Sequence, residues 1–303
     1  MHYSHERRKV GTARLCETYR LRWSPLWFDS MGRHYRPGWS GASNGKAGTM
    51  DDVMSTLTVG LEVEVTGGAE EAVEVAHDEG LTADDSLHSY HCDCSSCEHD
   101  EYRVNIVTAQ NDCTVSGEFI TRPIRMGDAG SWSDLERLSA VFAWTGAYAD
   151  PHESTGCHVH VSAALLDTLP TVEDEDSGDE WDGREQLAQF FVPLQNDIAM
   201  YARGAVDRVR DYNHPIGTDP RYRPREGWLH LRRRSQTVEF RLWNGTTAAW
   251  RWRMYAGISS ALVMAVVQQR PPVPNGTPVL EALAGLLDDE TLALMERQAA
   301  TPF

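Results

Sequence analysis

The feature that most constrains the fold is a run of alternating apolar and polar residues that begins at Thr56. Within this run, TLTVGLEVEVTG, every second residue is apolar: Leu57, Val59, Leu61, Val63 and Val65. Successive side chains of a β-strand point to opposite faces of the sheet, so this period is typical of a half-buried strand. Glu62 and Glu64 then project together from the other face, roughly 7 Å apart.

Three later segments show the same alternation: SGEFITRP, which ends at Pro123, then GCHVHVS, then TVEFRLWNG. Their apolar residues, including Val159, Val161, Val238, Phe240 and Leu242, occupy one face. The opposite face is expected to carry Glu118 with Ile120, His158 with His160 and Ser162, and Glu239 with Arg241. If the four strands share a sheet, helices cover one face and the other face is charged.

Such a charged face suits divalent cations and phosphate. Mg²⁺ and Mn²⁺ prefer oxygen ligands and bridge phosphate oxygens, and the planar guanidinium of Arg241 suits phosphate itself. In any single segment the charges would be interpreted as an ordinary solvent-facing side of a strand, but four such segments together favour a site. The His-x-His pair alone would also fit zinc hydrolases and cupin-like iron sites.

The remaining periodic segments predict helices, which gives a mixed α+β order. Ser133 and Glu136 are spaced as a capping box before DLERLSAVFAWTGAY. Pro193 is expected to interrupt EQLAQFFVPLQNDIAMYA. Apolar residues also recur at helical spacing in AAWRWRMYAGISSALVMAVV and PVLEALAGLLDDETLALMERQ.

The motifs GLEVEV, NDCTVSGEFITRP, GCHVHVS and TVEFRLWNGT follow one another in this order. From about Thr58 to Val267 the chain resembles the amidoligase family, relatives of glutamine synthetase and glutamate-cysteine ligase. The resemblance implies a glutamine-synthetase-like catalytic domain, with a curved, mostly antiparallel sheet and helices packed on one face. It also implies a carboxylate-amine ligase that uses ATP to phosphorylate a carboxylate, after which an amine displaces the phosphate.

The resemblance assigns roles to individual residues. Arg241 corresponds to a phosphate-contacting arginine, His160 to a histidine near the nucleotide phosphates, and Glu64 and Arg241 are the expected catalytic residues. The expected ligands of Mg²⁺ or Mn²⁺ are Glu62, Glu64, Asp112, Glu118, His158 and Glu239. Cys113 and Thr114 replace the family's common Gly-Ser after Asp112. No residue is assigned as general base for the amine.

A cysteine cluster lies in the segment HSYHCDCSSCEHD. Cys92, Cys94 and Cys97 could supply three thiolates of a tetrahedral structural zinc site, with His88, His91 or His99 as the fourth ligand. The predicted zinc ligands are Cys92, Cys94, Cys97 and His99. The alternative is a redox-active or unliganded cluster, because the spacing is tighter than in common zinc pairs.

The expected organisation is an N-terminal extension over residues 1–55, a catalytic domain over 56–270 and a helical segment over 271–303. The catalytic domain would contain the cysteine-rich insertion at about 85–103 and an acidic, solvated loop at 167–183. There is no signal-peptide core and no apolar run of ~20 residues, so a soluble, cytoplasmic protein is expected. A formal net charge of −17 opposes a large nucleic-acid interface.

Two rival functions remain open at this stage. The first is a metallohydrolase or oxygenase that holds zinc or iron at His158, His160 and Glu239. The second is a zinc-containing binding module without catalysis, which the net charge opposes if its partner is a nucleic acid. For the ligase, the expected partners are small-molecule, peptide or protein substrates that carry the carboxylate and the amine. Oligomeric state stays open.

Overall fold

The computed structural model describes residues 57–89, 105–112, 114–150, 155–173, 180–202, 215–216, 227–231 and 235–300. Three predictions therefore lie outside the described residues. They are the N-terminal extension, the zinc site of Cys92, Cys94, Cys97 and His99, and the centre of the acidic loop.

The strands of the described segments are mostly members of one sheet. They are β1 Thr58–Val65, β2 Val107–Gln110, β3 Gly117–Thr121, β4 Ile124–Arg125, β5 Gly156–Ser162, β6 Val172–Glu173, β7 Glu180–Trp181, β8 Leu229–His230 and β9 Thr237–Asn244. The sheet has the order β2-β3-β1-β5-β9-β8, with β4 paired to β1 as well, and every ladder in it is antiparallel. Strands β6 and β7 form a separate antiparallel pair at the ends of the acidic segment.

The helices of the described segments are α1 Ala69–Asp78, α2 Ala129–Thr145, α3 Gly183–Phe191, α4 Gln195–Ala202, α5 Ala249–Val267, α6 Val279–Ala282 and α7 Asp289–Ala300. The mixed α and β composition and the mostly antiparallel sheet confirm the coarse fold prediction. The four predicted strands are also confirmed, and Pro193 lies between α3 and α4 as expected.

The core lies between the apolar face of the sheet and the helices. Val59, Leu61, Val63 and Val65 of β1 are fully buried, as their alternation predicts. Helix α5 is buried along most of its length because it packs against β1 and β5 as well as α2, α3 and α7. Burying this many apolar side chains supplies the main favourable term in folding. The opposite face of the sheet therefore carries the polar side chains.

The prediction of the cap of helix α2 was wrong. Helix α2 begins at Ala129, capped by Asp128, whose Oδ1 accepts from the backbone N of Gly130 and Ser131 at 3.1 and 3.3 Å. Ser133 therefore lies within the helix and caps nothing, because the nearer Asp128 already satisfies the free N–H groups of the first turn.

The C-terminal segment with helical spacing contains two helices. Helix α6 ends at Ala282, and α7 begins at Asp289, where Asp288 Oδ1 accepts from Thr291 N at 2.7 Å. Gly285, with a φ of 73°, separates them in a left-handed conformation that ends helices. Apolar spacing alone cannot show such a break, since both pieces contribute to the same core.

Replacing Asp128 with alanine is expected to lower the free energy of unfolding by about 1 kcal/mol, because the first turn of α2 loses its acceptor. Ser133→Ala is the matched control and should not lower stability, since Ser133 is an exposed position inside the helix, where alanine is the better helix former. Urea denaturation of both variants tests the assignment. A larger loss in Ser133→Ala than in Asp128→Ala would restore the original cap prediction.

Within the described segments, no helix combines the length and apolarity that crossing a membrane requires.

Candidate functional site

The strand register places the charged residues of four strands side by side. Glu62 lies opposite His158, Glu64 opposite Glu118, and His160 opposite Glu239. Directly opposed residues in an antiparallel ladder project to the same face. The resulting surface, called the charged wall below, consists of Glu62, Glu64, Glu118, His158, His160, Glu239 and Arg241.

His158 lies at the centre of the charged wall. Its Nδ1 is 2.9 Å from Glu62 Oε2 and 3.5 Å from Glu239 Oε1, and its Nε2 is 3.7 Å from Glu64 Oε1. Farther along β5, His160 Nε2 is 2.9 Å from Glu62 Oε1. The imidazole of His158 therefore contacts carboxylates on both of its ring nitrogens.

Two groups of the described residues could each hold a metal ion. One consists of Glu62, His158 and Glu239, and the other of Glu64, Glu118 and His158, with ligand atoms that lie within 4.8 Å of one another in each group. We call them cluster 1 and cluster 2. Both contain His158, so the two candidate cation positions are neighbours. Carboxylate oxygens with one imidazole form a donor set that suits Mg²⁺ and especially Mn²⁺.

The electrostatics of the wall also fit a cation. Burial, and then repulsion from Glu62 and Glu64, raise the pKa of Glu118 well above its ordinary value. A positive ion beside Glu118 would relieve both effects, because an opposite charge favours the ionised form. The charge of cluster 2 is therefore poorly compensated by protein groups alone.

The carboxylates around the histidines are held ionised. Burial opposes ionisation of Glu62, but the attraction of His160 and hydrogen bonds with His158 and His160 bring its pKa far below the ordinary range. Burial likewise raises the pKa of Glu239, but the charge of Arg241 and a hydrogen bond with His230 outweigh it, and the net pKa lies well below its ordinary value. These two carboxylates are thus available as acceptors or ligands.

The neighbouring carboxylates favour the charged form of both basic members of the wall. Burial lowers the pKa of His160, but the nearby Glu62 outweighs it and the net pKa is raised. Burial likewise opposes the charge of Arg241, and Glu239, Glu62 and Glu64 outweigh that effect. Arg241 Nε lies 3.0 Å from Glu239 Oε1, so the guanidinium is positioned beside cluster 1.

Asp112 is placed differently from the other predicted ligands. Among the residues that the structure describes, it belongs to neither cluster. Its Oδ1 accepts from the backbone N and the hydroxyl of Thr114 at 2.6 and 2.5 Å, in a turn beside Glu118. Its charge contributes to the raised pKa of Glu118, so it lies near cluster 2 without entering it.

Three residues that contact the wall were missed by the sequence reasoning. His230 Nδ1 is 3.0 Å from Glu239 Oε2, and Gln110 Nε2 donates to Glu118 Oε2 at 2.7 Å. Both lie on short strands, where WLHL and VTAQ also alternate, but such runs are too short for periodicity to identify. Gly156 N donates to Glu64 Oε2 at 2.5 Å.

The close approach of neighbouring side chains explains why position 156, two residues before His158, is a glycine. A Cβ at this position would lie 3.1 Å from His158 Nε2 and 3.3 Å from Glu64 Oε2. A side chain there would crowd two ligand atoms of cluster 2. The glycine therefore leaves the space in front of these atoms open.

His88 and Cys157 do not belong to the wall. His88, one of the three alternatives for the fourth zinc ligand, has its Nε2 2.6 Å from Asp84 Oδ2. Cys157 is buried on the core side, where burial and then the negative charge of Glu64 raise the pKa of its thiol. A neutral, buried thiol is a poor nucleophile.

No protein-family model matches the chain, and no curated protein matches its sequence. Among solved structures, the chain is similar to one described as the crystal structure of the complex between prokaryotic ubiquitin-like protein Pup and its ligase PafA. The two chains are 10% identical with a TM-score of 0.34, and the alignment covers 83% of this chain. It covers 59% of that chain, so this chain spans less than two thirds of its length.

Proposed function

We propose that the chain is an ATP-dependent carboxylate-amine ligase, which forms an amide or peptide bond through an acyl phosphate and requires Mg²⁺ or Mn²⁺. The observation that carries the proposal is the pair of carboxylate clusters joined at His158, with Arg241 beside them. Phosphoryl transfer requires mainly positioning and charge neutralisation, and such a wall is suited to both. The sequence resemblance to amidoligases supports the same chemistry.

In this proposal the clusters bind the divalent cations. Glu62, His158 and Glu239 would hold one cation, and Glu64, Glu118 and His158 the other. The cations would neutralise the charge of the triphosphate and bridge its oxygens. Arg241 and His160, whose pKa values are both raised by the neighbouring carboxylates, would contact phosphate oxygens that the carboxylates of the wall would otherwise repel.

The proposed reaction involves no oxidation or reduction. A carboxylate oxygen of the first substrate attacks the γ-phosphorus of ATP, the bond to the β-γ bridging oxygen breaks, and ADP leaves. An amine then attacks the acyl carbon, the carbon–oxygen bond to phosphate breaks, and the amine nitrogen gives up a proton. The carboxylate and amine would come from small molecules, peptides or protein side chains.

The test is ADP release by the purified chain with Mg²⁺ or Mn²⁺, across pools of carboxylates and amines. We expect release that needs both substrates and that falls more than about 100-fold in Glu64→Ala and in Arg241→Ala. Glu79→Ala and Arg137→Ala are matched controls, because these residues form an exposed ion pair away from the wall. Both controls should retain the activity of the unmodified chain.

Failure of ATP binding and hydrolysis with either metal would contradict the ligase. The leading function would then be a hydrolase or oxygenase centred on the histidine of cluster 1. For that alternative the structure brings His158 and Glu239 together with Glu62, and places His160 next to Glu62. Activity that depends on zinc or iron, without ATP, would identify it.

A further inference from the structure

Asn244, the last residue of β9, has a buried side-chain oxygen without a hydrogen-bond partner among the described residues. The residue is 5% exposed, and its Oδ1 makes no hydrogen bond to any residue that the structure describes. Buried polar groups are almost always paired, and an exception in a native fold calls for an explanation. An amide oxygen left unpaired costs stability, which selection tolerates where the group serves a function.

The strand register places Asn244 on the same face as the charged wall. Asn244 lies opposite Gly156, which faces His158 Nε2 and Glu64 Oε2. The preceding residue, Trp243, points into the core, where its Nε1 donates to Ser259 Oγ at 3.2 Å and its ring stacks on Tyr255. Because side chains alternate along a strand, Asn244 projects to the wall side.

A bulge produces this placement. The pairing of β5 with β9 shifts by one residue between Cys157 and Val159, so that Val159 lies opposite Phe240 but Gly156 lies opposite Asn244. With the unshifted register, Trp243 would lie opposite Gly156 and would face the wall. Bulges near functional sites commonly redirect a side chain in this way. Here the shift places Trp243 in the core and Asn244 on the wall side.

The space in front of Gly156 connects Asn244 to cluster 2. Opposed Cβ positions in an antiparallel ladder are about 4.5–5.5 Å apart. The Cβ position of Gly156 is itself within van der Waals reach of His158 Nε2 and Glu64 Oε2. The glycine supplies no side chain to fill this gap, and the register sets Asn244 directly across the ladder from it.

We propose that the Asn244 amide oxygen is a further ligand of the divalent cation held by Glu64, Glu118 and His158. The inference rests on the metal site of the proposed function. Asparagine carbonyl oxygens are ordinary ligands of hard cations. A neutral ligand completes the coordination without adding another negative charge beside Glu118, whose pKa is already raised by burial and by its acidic neighbours.

The test measures Mn²⁺ binding to the full chain by electron paramagnetic resonance, which needs neither ATP nor substrates. Asn244→Ala should weaken one class of Mn²⁺ site about tenfold or more. Asn244→Asp, which keeps an oxygen ligand, should bind Mn²⁺ at least as tightly as the unmodified chain. Ser260→Ala is the matched control, because Ser260 Oγ is also buried without a hydrogen-bond partner among the described residues but lies on α5 in the core.

The outcomes separate this inference from the proposed function. Unchanged Mn²⁺ affinity in Asn244→Ala, while the unmodified chain binds Mn²⁺, overturns only the role of Asn244. Absence of Mn²⁺ binding in the unmodified chain overturns the metal site as well. If Asn244→Ala does not fold, a tenfold loss of affinity in Asn244→Asp would still overturn the inference. In the metal-free state, Asn244→Ala should melt no lower than the unmodified chain. If Asn244 instead stabilised the fold, its replacement would lower the melting temperature.

Discussion

His158→Ala is expected to weaken divalent-cation binding at both candidate positions, by more than about 100-fold, and to abolish any metal-dependent ATP turnover. Even residues that only orient metal ligands typically change affinity about 10–100-fold when they are replaced. His158 would be a direct ligand in cluster 1 and in cluster 2, and its ring contacts Glu62, Glu239 and Glu64. Its removal also leaves these carboxylates facing one another without the imidazole between them.

Isothermal titration calorimetry with Mn²⁺ measures this loss directly. His77→Ala is the matched control, because His77 is a half-exposed residue on α1 that pairs with its neighbour Asp78. His230→Ala should show a smaller loss, since His230 contacts Glu239 but belongs to neither cluster. Binding in His158→Ala that equals the control would show that the clusters do not hold the cations.

The largest effect on stability is expected from Arg184→Ala, which should lower the free energy of unfolding by about 2 kcal/mol. Two backbone carbonyls lose a charged donor, whereas the Asp167 side chain is 48% exposed and can still be solvated. The Arg184 side chain is 4% exposed and forms a fork with Asp167, through Nε–Oδ1 at 2.7 Å and Nη2–Oδ2 at 2.9 Å. Its Nη2 also donates to the carbonyl of Ser235 at 2.6 Å, and its Nη1 to that of Thr237 at 3.4 Å. Removing the guanidinium leaves these acceptors without their donor.

This anchor matters for the wall because it holds the start of β9. The Thr237 hydroxyl is 3.4 Å from His160 Nδ1, so loosening this end of the strand would also move a member of the wall. Arg184→Lys should recover only part of the stability, since an ammonium cannot form the two parallel bonds to Asp167. Urea denaturation of both variants measures the effect.

Arg137→Ala serves as the control for Arg184. Arg137 contacts Glu79 and Asp134 at distances of 3.0 and 3.2 Å, but all three side chains are exposed, and such pairs contribute little to stability. No measurable change is therefore expected. If both variants lost the same free energy of unfolding, the fork between Arg184 and Asp167 would contribute no more stability than an exposed ion pair.

Much of the candidate site could be predicted because alternation is a local property. Val59 and Glu62 occupy opposite faces of β1 whatever the rest of the chain does, since each residue's direction depends on the strand's own geometry. The helix boundaries were less predictable: Asp128, not Ser133, caps α2. Several residues can satisfy the same N–H groups, and only the folded structure shows which one does.

The sequence by itself determined which side chains share a face, and hence that glutamates and histidines lie opposite an apolar surface on each strand. Only the tertiary structure decided how the strands align: Gly156 N meets a carboxylate 92 residues earlier, and a one-residue shift places Asn244, not Trp243, beside it. The physical reason is that periodicity arises from neighbouring residues, whereas register arises from hydrogen bonds and packing between strands far apart in the chain. A cation site needs both, because its ligands must share a face and also meet within a few ångströms.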